Sequence, residues 1–126
     1  LLKAYDGDNL VGIAPLYIDN LKLRSIIKVR RLQFIGNAWR REGTVRTEYL
    51  EFIASKEQSR EVCAAFVEYI SNKKNWDEFV ICDLLDNTDT YNQIKKQNND
   101  KHPNCNSCIS DNRYFGSNIK SFRVII

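Results

Sequence analysis

The chain has 126 residues, 43% of them hydrophobic and 28% charged, with a formal net charge of +3. That length makes one domain or part of one, with enough apolar content for a core. That charge is too small to argue for nucleic acid by itself, so no nucleic-acid partner is expected, and no apolar stretch approaches the roughly 18–20 residues that span a bilayer.

The first elements are extended. Residues 1–5 and 10–18 are apolar runs around Asp6-Gly7-Asp8-Asn9 and read as a β-hairpin. Pro15 cannot donate to a ladder, so it marks an edge or a bulge in the second strand. Residues 21–35 alternate imperfectly, which fits one bent strand or two short ones. Residues 36–47 are a polar loop bearing arginines and Trp39. Residues 48–54 are a strand in which Tyr49, Glu51 and Ile53 alternate with Leu50, Phe52 and Ala54.

A helix then runs to about Asn72. Ser55 is its expected N-cap, with Gln58 completing a capping box. Val62, Cys63, Phe66, Tyr69 and Ile70 recur at helical spacing as the buried stripe. Glu57 and Glu61 near the start, and Lys73 and Lys74 at the end, suit the helix dipole. Residues 78–85 are apolar enough for a central strand. A short helix begins in 86–89 and ends near Gln97, 98–112 is a polar loop, and 114–126 holds a final strand.

The expected order is β-β-β-β-α-β-α-β, an α/β fold with a mixed sheet. The helix between Ala54 and Glu78 allows a right-handed crossover to a parallel neighbour. The chain contains no Met, opens on Leu1-Leu2 and ends on Val124-Ile125-Ile126, so it reads as a single partial domain, 1–126, cut at both ends.

The four cysteines divide into two kinds. Cys63 and Cys82 sit in apolar runs and behave as buried thiols. Cys105 and Cys108 form a C-x-x-C in a polar loop, preceded by His102. Zinc ligation, redox pairing and plain loop cysteines all fit that spacing; a tetrahedral zinc site wants a fourth ligand, and Asp111 is the nearby one. The Cys content is below that of a secreted disulfide scaffold, which favours a reducing, cytoplasmic compartment.

Three motifs carry a resemblance. Gly12-Ile13-Ala14-Pro15-Leu16-Tyr17, Arg31-Leu32-Gln33-Phe34-Ile35-Gly36 and Tyr49-Leu50-Glu51-Phe52 resemble the N-terminal half of CelD-type, FemAB-related GNAT acetyltransferases. Trp76-Asp77-Glu78-Phe79-Val80-Ile81-Cys82-Asp83-Leu84 is similar to the family's strand after the first long helix. The likeness covers about residues 1–95. It implies a three-layer GNAT-like half domain whose partner is a C-terminal GNAT half of the same protein. That second half holds the acyl-CoA, with acetyl-CoA as donor. The first half helps build the groove for a small-molecule, sugar or peptide-like acceptor. The family's cofactor and catalytic residues have no positions here to be carried onto.

In an acyl-CoA-binding GNAT a glycine-bearing loop and a helix N-terminus hold the pyrophosphate. The matching junction here reads Ile53-Ala54-Ser55-Lys56-Glu57, without glycine and with a carboxylate that repels phosphate. No cofactor is therefore expected to bind this fragment. Gln33-Phe34-Ile35-Gly36-Asn37-Ala38 has the glycine-loop pattern, but another strand follows it, and a strand-ending turn is the expected reading.

Trp39, Arg40, Arg41, Arg46, Glu48 and Tyr49 are the candidate acceptor-binding residues, since guanidinium groups and aromatic faces suit anionic or sugar-bearing ligands. The plainer alternative is a solvated loop anchored by Trp39. Lys22, Arg24, Lys28, Arg30 and Arg31 read as an exposed or partner-facing sheet surface. Two functions remain open at this level. One is the non-cofactor half of an acyltransferase; the other is a catalytically inactive GNAT-fold interaction module.

Overall fold

The structure, a computed structural model, describes residues 1–23, 26–37, 49–73, 75–101 and 119–125. Its elements are β1 (Leu2–Asp6), β2 (Asn9–Ala14), β3 (Leu16–Leu23), β4 (Ile27–Phe34), β5 (Ile53–Ala54), α1 (Ser59–Asn72), β6 (Glu78–Leu85), α2 (Asp89–Lys101) and β7 (Ile119–Ile125). The strands form a three-stranded sheet, β1-β2-β5, and a four-stranded one, β3-β4-β6-β7. The architecture is mixed α+β. Among the described residues no helix is long and apolar enough to cross a membrane.

The first hairpin forms as expected. Gly7 takes φ +58° in its two-residue turn, a conformation that costs an L side chain but not glycine. Pro15 does more than mark an edge. It ends β2, and the chain runs on as β3 in the second sheet, so the run 10–18 belongs to two strands. The stretch 21–35 is likewise divided: its start closes β3, and Ile27–Phe34 form β4, paired antiparallel with β3 from Leu16↔Phe34 to Leu23↔Ile27.

Helix α1 starts later than the capping box implies. Ser55 and Gln58 do meet, through Oγ to Oε1 at 3.3 Å, but inside a turn in which the Gln58 N–H donates to the Ser55 carbonyl. Gln58 is the N-cap and makes no side-chain cap bond. Its Nε2 donates to Asp6 Oδ2, which ties the helix start to the β1–β2 turn. The buried stripe is Val62, Cys63, Phe66, Val67 and Ile70. Tyr69, expected in it, is 49% exposed, with the Lys73 ammonium over its ring. The far end has no glycine cap. There the Trp76 indole N–H donates to the Ile70 carbonyl at 3.1 Å, and the ring packs edge-on against Phe79.

β6 is central, as its apolar run implies. It lies parallel to β4 (Leu32↔Phe79, Gln33↔Val80) and antiparallel to β7. Two ion pairs fix the parallel register. Arg31 bonds the buried Glu78, and Arg30 holds Asp77 through its guanidinium and its backbone N–H. The Asp77 N–H returns a bond to the Arg30 carbonyl at 2.8 Å. Two members of the basic set on 22–31, Arg30 and Arg31, are therefore paired with carboxylates next to them in the register.

The Arg30 hydrogen bonds lower Asp77 to about 2, from an ordinary value of 3.8. A depressed carboxyl contributes its stability fully above the unfolded value and loses it as pH falls through the folded one. Asp77→Asn is thus expected to flatten the fall in urea midpoint between about pH 4 and pH 2. An unchanged slope in that window would contradict the pairing.

Helix α2 begins where Thr88 Oγ1 accepts from the Tyr91 N–H at 3.2 Å, and it reaches Lys101, four residues past Gln97. The start of the expected loop 98–112 is therefore helical. The core gathers Phe34, Phe52, Phe66, Phe79 and Trp76 with Leu16, Leu32, Ile81, Leu84, Tyr91 and Ile94.

Candidate functional site

The loop that carries the candidate residues has an unusual origin in the sheet. In an antiparallel ladder, alternate residues turn their main-chain groups to opposite edges. The Ser55 N–H donates to the Val11 carbonyl at 2.9 Å, and the Ile35 N–H to the Pro15 carbonyl at 2.8 Å. Both acceptors are odd-numbered. Gly12, Ala14 and Leu16 all stay turned to the core, so the alternation does not slip at Pro15. β5 and the end of β4 therefore lie end to end on one edge of a continuous β2–β3 ribbon. Ile35 stands opposite Pro15, and Ile53 opposite Ile13. The chain leaves this edge at Ile35 and rejoins it at Ile53, on adjacent hydrogen-bonded rungs.

Both feet of that excursion are fixed. At the outgoing foot Gly36 adopts φ +94°, and the Asn37 N–H closes a turn on the Phe34 carbonyl at 3.0 Å. Asn37 is buried and donates Nδ2 to the Val80 carbonyl. At the returning foot Leu50 and Phe52 are buried, the Phe52 N–H donates to Thr90 Oγ1, and the Phe52 ring lies 5.4 Å from Phe34. The described residues on both sides of the segment that carries the candidate residues are thus anchored in the core.

Trp39, Arg40, Arg41, Arg46 and Glu48 lie outside the described residues. Tyr49 is described and departs from expectation. The expected strand 48–54 is paired only at Ile53–Ala54, because Ile35 already occupies the next rung. The inward and outward alternation persists through 50–52 without a ladder. Tyr49 itself has φ +59°, outside the strand region, and is exposed. A non-glycine residue held there stores about 1–3 kcal/mol of strain, and such residues cluster at ligand-binding positions.

The junction before α1 is a small open pocket of about 220 Å³, lined by Glu51, Phe52, Ile53, Ala54, Ser59, Asp89 and Thr90. Two carboxylates face it. Burial, and secondarily the charge on Asp89, raises the Glu51 carboxyl above its ordinary value. The charged form of Glu51 therefore costs the folded state, and phosphate brought here would meet like charge. Sequence reasoning placed the repulsion on Glu57. It missed Glu51, read as part of a regular strand, and Asp89, which arrives from another helix.

The turn at Gln33–Asn37 offers little to an anion either. The amides of Ile35 and Asn37 are spent on Pro15 and Phe34. Gln33 donates Nε2 to the Tyr17 hydroxyl. Gln33 Oε1 and Asn37 Oδ1 are buried without a hydrogen-bond partner among the described residues, and both are acceptors, the wrong polarity for phosphate.

Cys63 is buried against Thr90, and burial raises its thiol. The Cys82 side chain, His102, Cys105 and Cys108 fall outside what is described. Among the described residues no group of three or more His, Cys, Asp or Glu side chains converges as metal ligands.

Comparison with protein-family models, with curated proteins and with solved structures gives no match.

Proposed function

We propose that this chain is the non-cofactor, N-terminal half of a GNAT/FemAB-like acyltransferase. The whole protein moves an acyl group from acyl-CoA to an amine or hydroxyl acceptor, in a reducing, cytoplasmic setting. The observation that carries the reading is the common origin of its motifs. The segments at 12–17, 31–36 and 49–52 converge on one ribbon edge and its core contacts, Phe34 against Phe52 among them. The parallel β4–β6 pair flanking the α1 crossover fits the same architecture.

In this reading the loop 36–52 is the acceptor-facing element. Trp39 and Tyr49 supply aromatic surface, and Arg40, Arg41 and Arg46 supply guanidinium donors for a sugar or anionic acceptor. The acyl-CoA belongs to the C-terminal half, because the junction here presents Glu51 and Asp89 to any phosphate. Those same carboxylates favour the second reading, an interaction module without chemistry.

Calorimetric titration of the folded chain with acetyl-CoA and with a longer acyl-CoA tests the division of labour. The expected result is no saturable heat. One-to-one binding at micromolar affinity would overturn it and make this half the cofactor carrier.

A further inference from the structure

The β3–β4 hairpin outruns the sheet that carries it. β4 pairs with β6 only at Arg31–Gln33, and β3 is an edge strand. Asp77 still holds Arg30, but past that residue no third strand joins the hairpin among the described residues. Residues 21–23 and 27–29 therefore form a two-stranded arm, closed by a turn that includes Ile26.

The arm sorts its side chains by face. Cross-strand partners share a face, so Lys22 and Lys28, which stand directly opposite each other, lie together on one side. Leu21, Val29 and Ile27 lie on the other. Leu21 and Val29 are half-buried, Ile27 is 58% exposed, and Ile26 at the tip is 86% exposed. Two features call for a partner. Like charges directly opposite in a ladder destabilise it, and neither lysine has a carboxylate partner among the described residues. An isoleucine at the apex of a projecting turn buries almost nothing for the fold.

We propose that the arm is a membrane-surface contact. Ile26 enters the interface of an anionic bilayer tip first, with Ile27 behind it, and Lys22 and Lys28 meet the lipid headgroups. An anionic surface turns the repulsion between the two ammonium groups into attraction for a third party. The spacing fits. Lys28 lies two residues behind Ile26, about 7 Å along an extended strand. Interfacial elements bury their apolar side about 5–10 Å deep. An apolar tip ahead of a cationic collar matches the layering of headgroup over hydrocarbon. An acidic protein would match the lysines alone and leave Ile26 in water. The contact is peripheral, needs no spanning segment and is independent of acyl transfer.

The test is sedimentation of the chain with phosphatidylcholine vesicles, with and without about one-third phosphatidylserine. Co-sedimentation is expected with the anionic vesicles alone. It is expected to be about tenfold weaker for Ile26→Asn and for Lys22→Gln/Lys28→Gln. All three positions are exposed, so the variants are expected to fold, and the urea midpoint checks this. The double lysine variant is expected to unfold no earlier than the parent, because it removes the like-charge pair. Ile26→Trp is expected to move to bluer emission on anionic vesicles, beyond any shift of the parent chain, which reports the tip itself. No binding, equal binding to both vesicles, or undiminished binding by either variant overturns the proposal. Lysines that only blunt the open edges of the arm give that last result. Equal binding to soluble polyglutamate, lost in the lysine variant but kept by Ile26→Asn, also overturns it and assigns the arm to an acidic protein.

Discussion

Replacing Phe34 by alanine is expected to cost about 3–5 kcal/mol, close to the whole stability of a small domain. Phe34 is fully buried, and its ring touches Phe52 at 5.4 Å and Phe79 at 6.4 Å. It thus joins the ribbon edge, the returning foot of the loop and the central strand in one contact. The void left behind cannot collapse without moving β4, which β3 and β6 hold from both sides. Guanidinium unfolding measures the loss. A shift below about 1 kcal/mol, the range of a surface site, would mean that Phe34 is not the joint described.

Gly12→Ala is the second large effect, expected at about 1–3 kcal/mol from overpacking alone. A Cβ at Gly12 would sit 2.3 Å from Val62 Cγ1, with the Ile53 carbonyl and the Phe66 ring each at 3.3 Å. Val62 has no long, flexible side chain to swing away, and the Ile53 oxygen is backbone. The glycine is needed for the close approach of α1 to the sheet. Pairing Gly12→Ala with Val62→Ala is expected to recover part of the loss, a positive coupling of the kind seen between touching residues. Strict additivity would contradict the contact.

Much of the framework was legible in local pattern. The hairpin at Gly7, the continuous apolar run of β6 and the stripe of α1 follow from short-range chemistry. The errors lie where distant residues decide. Pro15 was legible as a break, but its role in passing one ribbon between two sheets depends on β4 and β5 sharing an edge. The alternation expected at 49–54 is present, with Leu50 and Phe52 buried and Tyr49, Glu51 and Ile53 exposed. It could not say that Ile35 occupies the rung that a longer β5 needs. Ser55 and Gln58 have the residue types of a capping box, yet the Ser55 N–H bonds the Val11 carbonyl in the sheet, the Gln58 oxygen takes the Ser55 hydroxyl, and the helix starts later.

The candidate site shows the same division. Tyr49 was singled out for its aromatic ring, whereas its left-handed backbone has no sequence signature in a tyrosine. Glu57 was visible because it follows the junction in sequence. Asp89 was not, because only the packing of α2 on α1 brings it to the pocket beside Glu51.

In the proposed division of labour the segment 36–52 serves the acceptor while the acyl-CoA is held elsewhere in the protein. Its most direct test is thiol release from acetyl-CoA by the full-length protein, across a panel of primary amines and amino sugars, with and without Arg40→Ala/Arg41→Ala. Acceptor-dependent thiol release is expected, with the loop variant raising the acceptor KM about tenfold or more and leaving the acetyl-CoA KM unchanged. Thiol release with no acceptor dependence, or a loop variant that raises the acetyl-CoA KM instead, would contradict it.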